Sequence, residues 1–270
     1  MVGNRREVGR HPYSVSLNGI SLADLDPGIG IVEVREVPVE ETQVIQHVLT
    51  DGDPLAWSRR ARLEIHLSLF LKASDPEHHT AVLSEVATWA KSLGWLTASW
   101  RPGLRLQIDG CTIPGLPALR EWNKPVDLVL TAYTRPYWED AEATEVSQSM
   151  RRGTVQMQIE GQLPYARLEA DIQNTATQLI TSLEITVFAG DEQVTFLSLQ
   201  GLSVGSGEHI GITYDEHGFL RITAAEQSCM ASRSSGSSDE IRIRTGAVND
   251  ITIDAGRNAL VILRARGQYY

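Results

Sequence analysis

The run that most constrains this chain is 60–71, where apolar and polar residues alternate as far as Leu69. Ala61, Leu63, Ile65, Leu67, Leu69 and Leu71 fall on one side, and Arg62, Glu64, His66 and Ser68 on the other. Period two belongs to a strand, whose successive side chains point to opposite faces of a sheet. One face of this strand is therefore buried, and the other is wet or meets a partner. The same period returns often enough to make the chain mainly β. Val155, Met157 and Ile159 alternate with Gln156, Gln158 and Glu160, and Ala166, Leu168, Ala170 and Ile172 with Arg167, Glu169 and Asp171.

A length of 270 residues suits about two domains. A boundary is visible near 120–140, because all six tryptophans lie before Glu139 and no lysine follows Lys124. The first module, 1–142, reads as α+β. Tyr13, Val15 and Leu17 alternate with serines before Asn18-Gly19, which supplies the two positive-φ residues of a type I′ hairpin. Residues 29–39 read as an extended segment ended by Pro38, and residues 51–54, Asp-Gly-Asp-Pro, as a loop. The one helix starts after Asp75, an N-cap with Pro76 at the first position and Glu77 in the first turn. Ala81, Val82, Val86, Trp89, Ala90 and Leu93 form its apolar stripe, and Gly94 is placed to close it. Residues 96–100, 104–108 and 126–132 are further strands. Residues 1–12, with Arg5, Arg6 and Arg10, read as a tail or as an arm that orders on a neighbouring copy.

Residues 143–153 are polar and read as a linker. The second module, 154–270, shows about nine short strands, the last two near 251–254 and 259–265, and no helix. This is the pattern of a β-sandwich or jelly roll. Residues 227–238, rich in serine, read as an exposed loop.

The sequence offers no catalytic, cofactor or metal residues. A G-x-S-x-G elbow, an H-E-x-x-H helix and a P-loop are all lacking. Gly28-Ile29-Gly30 and Gly205-Ser206-Gly207 lack the strand–turn–helix setting of a phosphate cradle. His78 and His79 are adjacent on a helix and diverge, so Glu77-His78-His79 reads as an exposed first turn. Glu40-Glu41, Glu139-Asp140 and Asp239-Glu240 read as solvated surface. Tyr165, Phe188, Phe196, Tyr214, Phe219, Tyr269 and Tyr270 are read mostly as alternating core positions rather than a sugar platform. A net charge of −10 argues against a nucleic-acid-binding surface. Cys111 and Cys229 fall in different modules and suggest no disulfide framework. The apolar runs are too short for a membrane-spanning helix, so no membrane insertion is expected.

Several features in order make the chain resemble the distal tail proteins of long-tailed, non-contractile bacteriophages. These are the hairpin at 13–22; Asp51-Gly52-Asp53 before Arg59-Arg60 and the long strand; the helix with Val86, Trp89 and Ala90; Leu96; Arg101-Pro102-Gly103; Cys111; Trp122; and Pro136-Tyr137-Trp138. Ser238-Asp239-Glu240 and the ending Arg266-Gly267-Gln268-Tyr269 complete the set. The resemblance implies a tail-tube-like β-barrel or sandwich with one helix in the first module and a galectin-like, carbohydrate-binding-module-like β-sandwich in the second. It implies a non-enzymatic virion protein, assembled in the host cytoplasm, that forms a hexameric ring at the tail tip. The implied partners are other copies of itself, the tail tube protein, the tail-tip hub and, often, receptor-binding proteins, with DNA passing through the ring unbound. Galectins bind sugar through a Trp platform and a His-x-Asn-x-Arg strand, and the second module has neither. A carbohydrate-binding adhesion module for host glycans is the alternative reading. Trp122 and Trp138 read as packing the domain junction.

Overall fold

The computed structural model describes residues 13–45, 55–113, 124–215 and 217–270. The Arg-bearing N-terminal stretch, the Asp51–Asp53 motif and Trp122 lie outside the described residues. The chain divides into two compact units, Met1–Trp138 and Glu139–Tyr270.

The first unit opens with the hairpin β1 (Val15–Leu17) and β2 (Ile20–Ser21), turned through Asn18 (φ 53°) and Gly19 (φ 81°). The Asn18 side chain does more than turn the chain. Its amide N–H donates to the Leu93 carbonyl, and its Oδ1 accepts the Trp95 N–H at 3.0 Å. The hairpin tip thus docks onto the corner that follows the long helix. A second, four-residue helix was not expected. α1 (Leu22–Leu25) starts at a capping box in which Ser21 and Asp24 satisfy each other's backbone N–H groups. The Ser21 N–H holds the Asp24 carboxyl below its usual range.

β3 (Ile29–Ile45) and β4 (Leu55–Leu71) pair along their whole length, and β8 (Val126–Ala132) and β7 (Gly110–Thr112) complete a sheet in the order β3-β4-β8-β7. Pro38 does not end β3. It sits opposite Leu63 in mid-strand. An edge strand tolerates proline because one row of its N–H groups has no ladder to join. β5 (Gly94–Ala98) and β6 (Leu104–Ile108) lie beside β1 and β2 in the order β6-β5-β1-β2.

Helix α2 (Pro76–Lys91) is capped as expected. Asp75 accepts the His78 N–H at 2.9 Å. That bond, ahead of the one from Ser74, holds its carboxyl low. Gly94 does not close the helix. Leu93 takes the left-handed position (φ 49°), Ser92 is the cap, and Gly94 begins β5. A Cβ on Gly94 would run into Asn18, so that glycine serves the docking of the hairpin. Ala81 is exposed, whereas Leu83 and His79 are buried. Leu63, Ile65, Leu67 and Leu69 of β4 are all at most 2% exposed. The period-two face is therefore the core of this unit, each side chain contributing about 1.5–3 kcal/mol.

A short strand, β9 (Trp138–Asp140), leads into the second unit. The expected linker is instead strand. β10 (Thr144–Gln158) pairs from Thr144 onward with β18 (Val248–Ala265), which is one strand where two were expected. Both bend at a bulge, β10 between Met150 and Arg152 and β18 around Gly256 (φ 66°). β18 pairs with β12 (Ile180–Ala189) before its bend and with β11 (Tyr165–Asn174) after it. A bulge is how one strand serves two halves of a folded sheet. β13 (Glu192–Val204), β14 (His209–Tyr214), β15 (Leu220–Ala224), β16 (Gln227–Ser228) and β17 (Arg242–Arg244) complete the set, giving the order β13-β12-β18-β11-β14-β15-β16 with β17 on β11. Inward side chains of both halves form one core, including Leu183, Leu197, Ile212, Ile253 and Leu263. β19 (Gln268–Tyr269) closes the chain.

Candidate functional site

The groups with chemical potential are dispersed. His78 Nε2 lies 3.3 Å from Asp26 Oδ2, whereas His79 is buried under α2 rather than exposed, and burial lowers its pKa. Glu139 is also buried, not solvated, while its neighbour Asp140 accepts the Gly267 N–H at 2.8 Å. Asp239 is fully exposed and pairs with Arg233, and Glu240 pairs with Arg167. Among the described residues no three His, Cys, Asp or Glu side chains are grouped to hold a metal ion. No helix among them is long and apolar enough to cross a membrane.

The aromatic residues of the second unit are not fully buried, and of them Tyr214 packs against the core. Tyr165, Phe188 and Phe196 are half-buried, and Phe219 and Tyr270 are exposed. Arg242 lies 5.0 Å over the Tyr165 ring and Arg167 4.9 Å over Tyr214. The Tyr214 hydroxyl donates to the Ile241 carbonyl and accepts the Ile241 N–H, and burial pushes its pKa up. These contacts stack the rings against the protein's own cations.

What the structure does present is sheet edges. β8 covers β4 only from Leu63 to Leu69. Beyond Leu63, β3 and β4 run on to Ile45 and Leu55 as a two-stranded ribbon with no third strand among the described residues. Two strands alone are marginally stable, and unpaired edges are templates for another chain. The base of this ribbon is clamped. Glu36 on β3 accepts Trp100 Nε1–H at 2.8 Å and Arg101 Nε–H and Nη2–H at 3.1 and 2.7 Å. The Arg101-Pro102-Gly103 turn between β5 and β6 thus fixes the direction in which the ribbon leaves the sheet. A bulge between Ile31 and Glu33 leaves Val32 without a partner and exposed.

The second unit treats its β13 edge in the opposite way. Residues 227–238 are not a free loop. Ser238 and Phe196 exchange two bonds, the Ser198 N–H donates to Ser237 Oγ, and the Ser234 N–H to the Ser198 carbonyl. Serine hydroxyls here replace a missing strand and seal the edge. The sequence signal available was the clustering of side chains that imitate backbone hydrogen bonding.

The sequence matches no protein-family profile and no curated protein. The architecture does have a solved counterpart. The SPP1 Dit protein, described as a paradigm of the hub adsorption apparatus in phages infecting Gram-positive bacteria, aligns over 96% of this chain and 99% of its own, with a TM-score of 0.66 at 13% identity. The phage P2 baseplate, in its activated conformation with Ca, aligns over 91% of this chain and 98% of that one at a TM-score of 0.45 and 10% identity. The likeness expected from the sequence therefore holds for the fold, across both units.

Proposed function

We propose that this chain is a structural, non-enzymatic component of a phage tail tip, in which copies close into a ring, a hexamer, joining the tail tube to the hub and receptor-binding apparatus. The observation that carries this reading is the fold shared end to end with the SPP1 Dit protein. The clamped, open-edged ribbon of the first unit supports it physically. A ring needs a head-to-tail contact that closes by rotation, and a ribbon with unpaired edges at a fixed angle supplies one. Ring building falls to the first module, within 1–142. DNA passes through unbound, repelled by a chain of net charge −10. The protein assembles in the host cytoplasm and ends in the virion.

Sedimentation and electron micrographs of the full-length protein at micromolar concentration test this reading. A species near six chains with a central hole is expected. A monomer at every salt and concentration tried, even with the tail tube and hub proteins added, would overturn it.

A further inference from the structure

Two surface features of this chain, one on each unit, pair an apolar group with a charge of opposite sign. The first is a knob on the second unit. Between β14 and β15, Asp215 holds His217, Phe219 and Arg221. Its Oδ1 accepts the Phe219 and His217 N–H groups at 2.9 and 3.0 Å, and its Oδ2 accepts Arg221 Nε–H and Nη2–H at 3.2 and 3.0 Å. Gly218 (φ 81°) lies against the Arg167 guanidinium so closely that a Cβ would reach it at 2.9 Å. Phe219 is nevertheless 69% exposed. An exposed aromatic ring whose backbone is tied down by a hydrogen bond has the profile of an interface anchor. Arg221 stands beside it, exposed, and its Nη1 takes no part in either bond to Asp215.

The second feature is a groove on the first unit. Ile20, Leu25 and Trp89 line an open apolar groove of about 360 Å³, with Ser84, Thr88, Ser92 and Glu85 at its border. Trp89 is fixed, since its Nε1–H donates to the Ile20 carbonyl at 2.8 Å. Ile20 is 51% exposed. A dry cavity of about 150 Å³ already takes a benzene ring, so this groove has room for a phenylalanine side chain. Glu85 is exposed and has no ion-pair partner among the described residues.

We propose that the occupant of this groove is Phe219 of a second copy of the chain, with Arg221 of that copy meeting Glu85 at the border. The ring filling an apolar slot supplies affinity, and the charge pair at the wet border supplies orientation. The contact is head-to-tail, because knob and groove are different surfaces, so it propagates from copy to copy. It rests on the ring reading and adds to the ribbon a contact in which the second unit takes part.

Mixing full-length chains carrying Ile20→Cys with chains carrying Phe219→Cys, under mild oxidation, tests the proposal. A covalent dimer is expected whose digest contains a disulfide between residues 20 and 219. Each variant alone, and the unaltered chain with Cys111 and Cys229, gives the background. In sedimentation, Phe219→Ala and Glu85→Lys should each weaken self-association at least tenfold while the monomer melts as before. Rings that assemble normally with Phe219→Ala, and no 20–219 peptide, would overturn this contact and leave the ring reading intact. Absence of any self-association would remove both. Protection of the groove by residues 1–12, seen as loss of that protection and gain of assembly when they are deleted, would also overturn it.

Discussion

At the scale of single residues, several positions are set by one close approach. Gly267 is the sharpest case. Its N–H donates to Asp140, and a Cβ there would run into the Glu160 carbonyl, a backbone atom that cannot swing aside. Gly267→Ala is expected to destabilise the second unit by about 1–3 kcal/mol, the cost of overpacking. Calorimetry that shows an unchanged transition would contradict this. Trp138 is fully buried, and Trp138→Ala should cost about 3–5 kcal/mol; a melting temperature within error of the parent would refute its packing role. His79 carries a pH dependence. Burial lowers its pKa below 6.5, so the fold favours neutral imidazole and the unfolded chain takes up the proton first. The resulting stability is full above pH 6.5 and is lost as pH falls through the lower folded value. Denaturant midpoints measured from pH 7.5 to 5 should fall for the parent, and His79→Gln should flatten that part of the profile. A parallel fall in both would assign the loss elsewhere.

At the scale of elements, the legible parts of the sequence were those with apolar period two. β4, β8 and β11 show it because one face is core. β10 hides from the same test. Among the described residues it pairs only with β18, and most of its first nine residues are exposed, so its sequence is polar in the way an edge strand requires. The serine segment misled for a related reason. Composition cannot separate serines facing water from serines bonded to a strand edge, and only the pairing with Phe196 and Ser198 decides it. Pro38 was read as a terminator, which holds for an inner strand and fails on an edge. The groove at Trp89 was invisible because it depends on α1, four residues long, being carried by a capping box. The serine strap makes its own prediction. Ser237→Ala with Ser238→Ala removes the acceptors of the Ser198 and Phe196 N–H groups. Each orphaned bond is worth about 1 kcal/mol, so amide exchange at these two positions should accelerate by roughly fivefold or more, while exchange at Leu197 and Ile185, in the core, stays slow. Uniform acceleration across β12 and β13 would show general loosening rather than an opened edge.

At the scale of the whole molecule, the chain handles its sheet edges in two ways. The second unit covers β13 with a strap and leaves polar β10 at another edge. Among the described residues the first unit leaves β3 open, with Val32 and Val37 exposed on it, and it braces the middle of β3 with Glu36, Trp100 and Arg101. A monomer gains nothing from that arrangement, since an open edge with exposed valines invites association. A ring gains both an adhesive edge and a fixed angle. Charges on an edge are the usual means of blocking it, so Val32→Lys with Val37→Lys should leave the fold intact and prevent assembly. Both residues are exposed, and surface substitutions of this kind usually change stability by no more than about 0.5 kcal/mol. The double variant is therefore expected to melt with the dissociated parent and to sediment as a monomer at concentrations where the parent forms rings. Glu36→Gln should act differently. It weakens the brace by removing a charge from the Arg101 pair, so copies still associate but through ribbons no longer held at one angle. The expected result is a mixture of open and irregular assemblies in micrographs. Closed, uniform rings from Glu36→Gln would show that the angle is set elsewhere, and rings from the double lysine variant would show that β3 is not the adhesive edge.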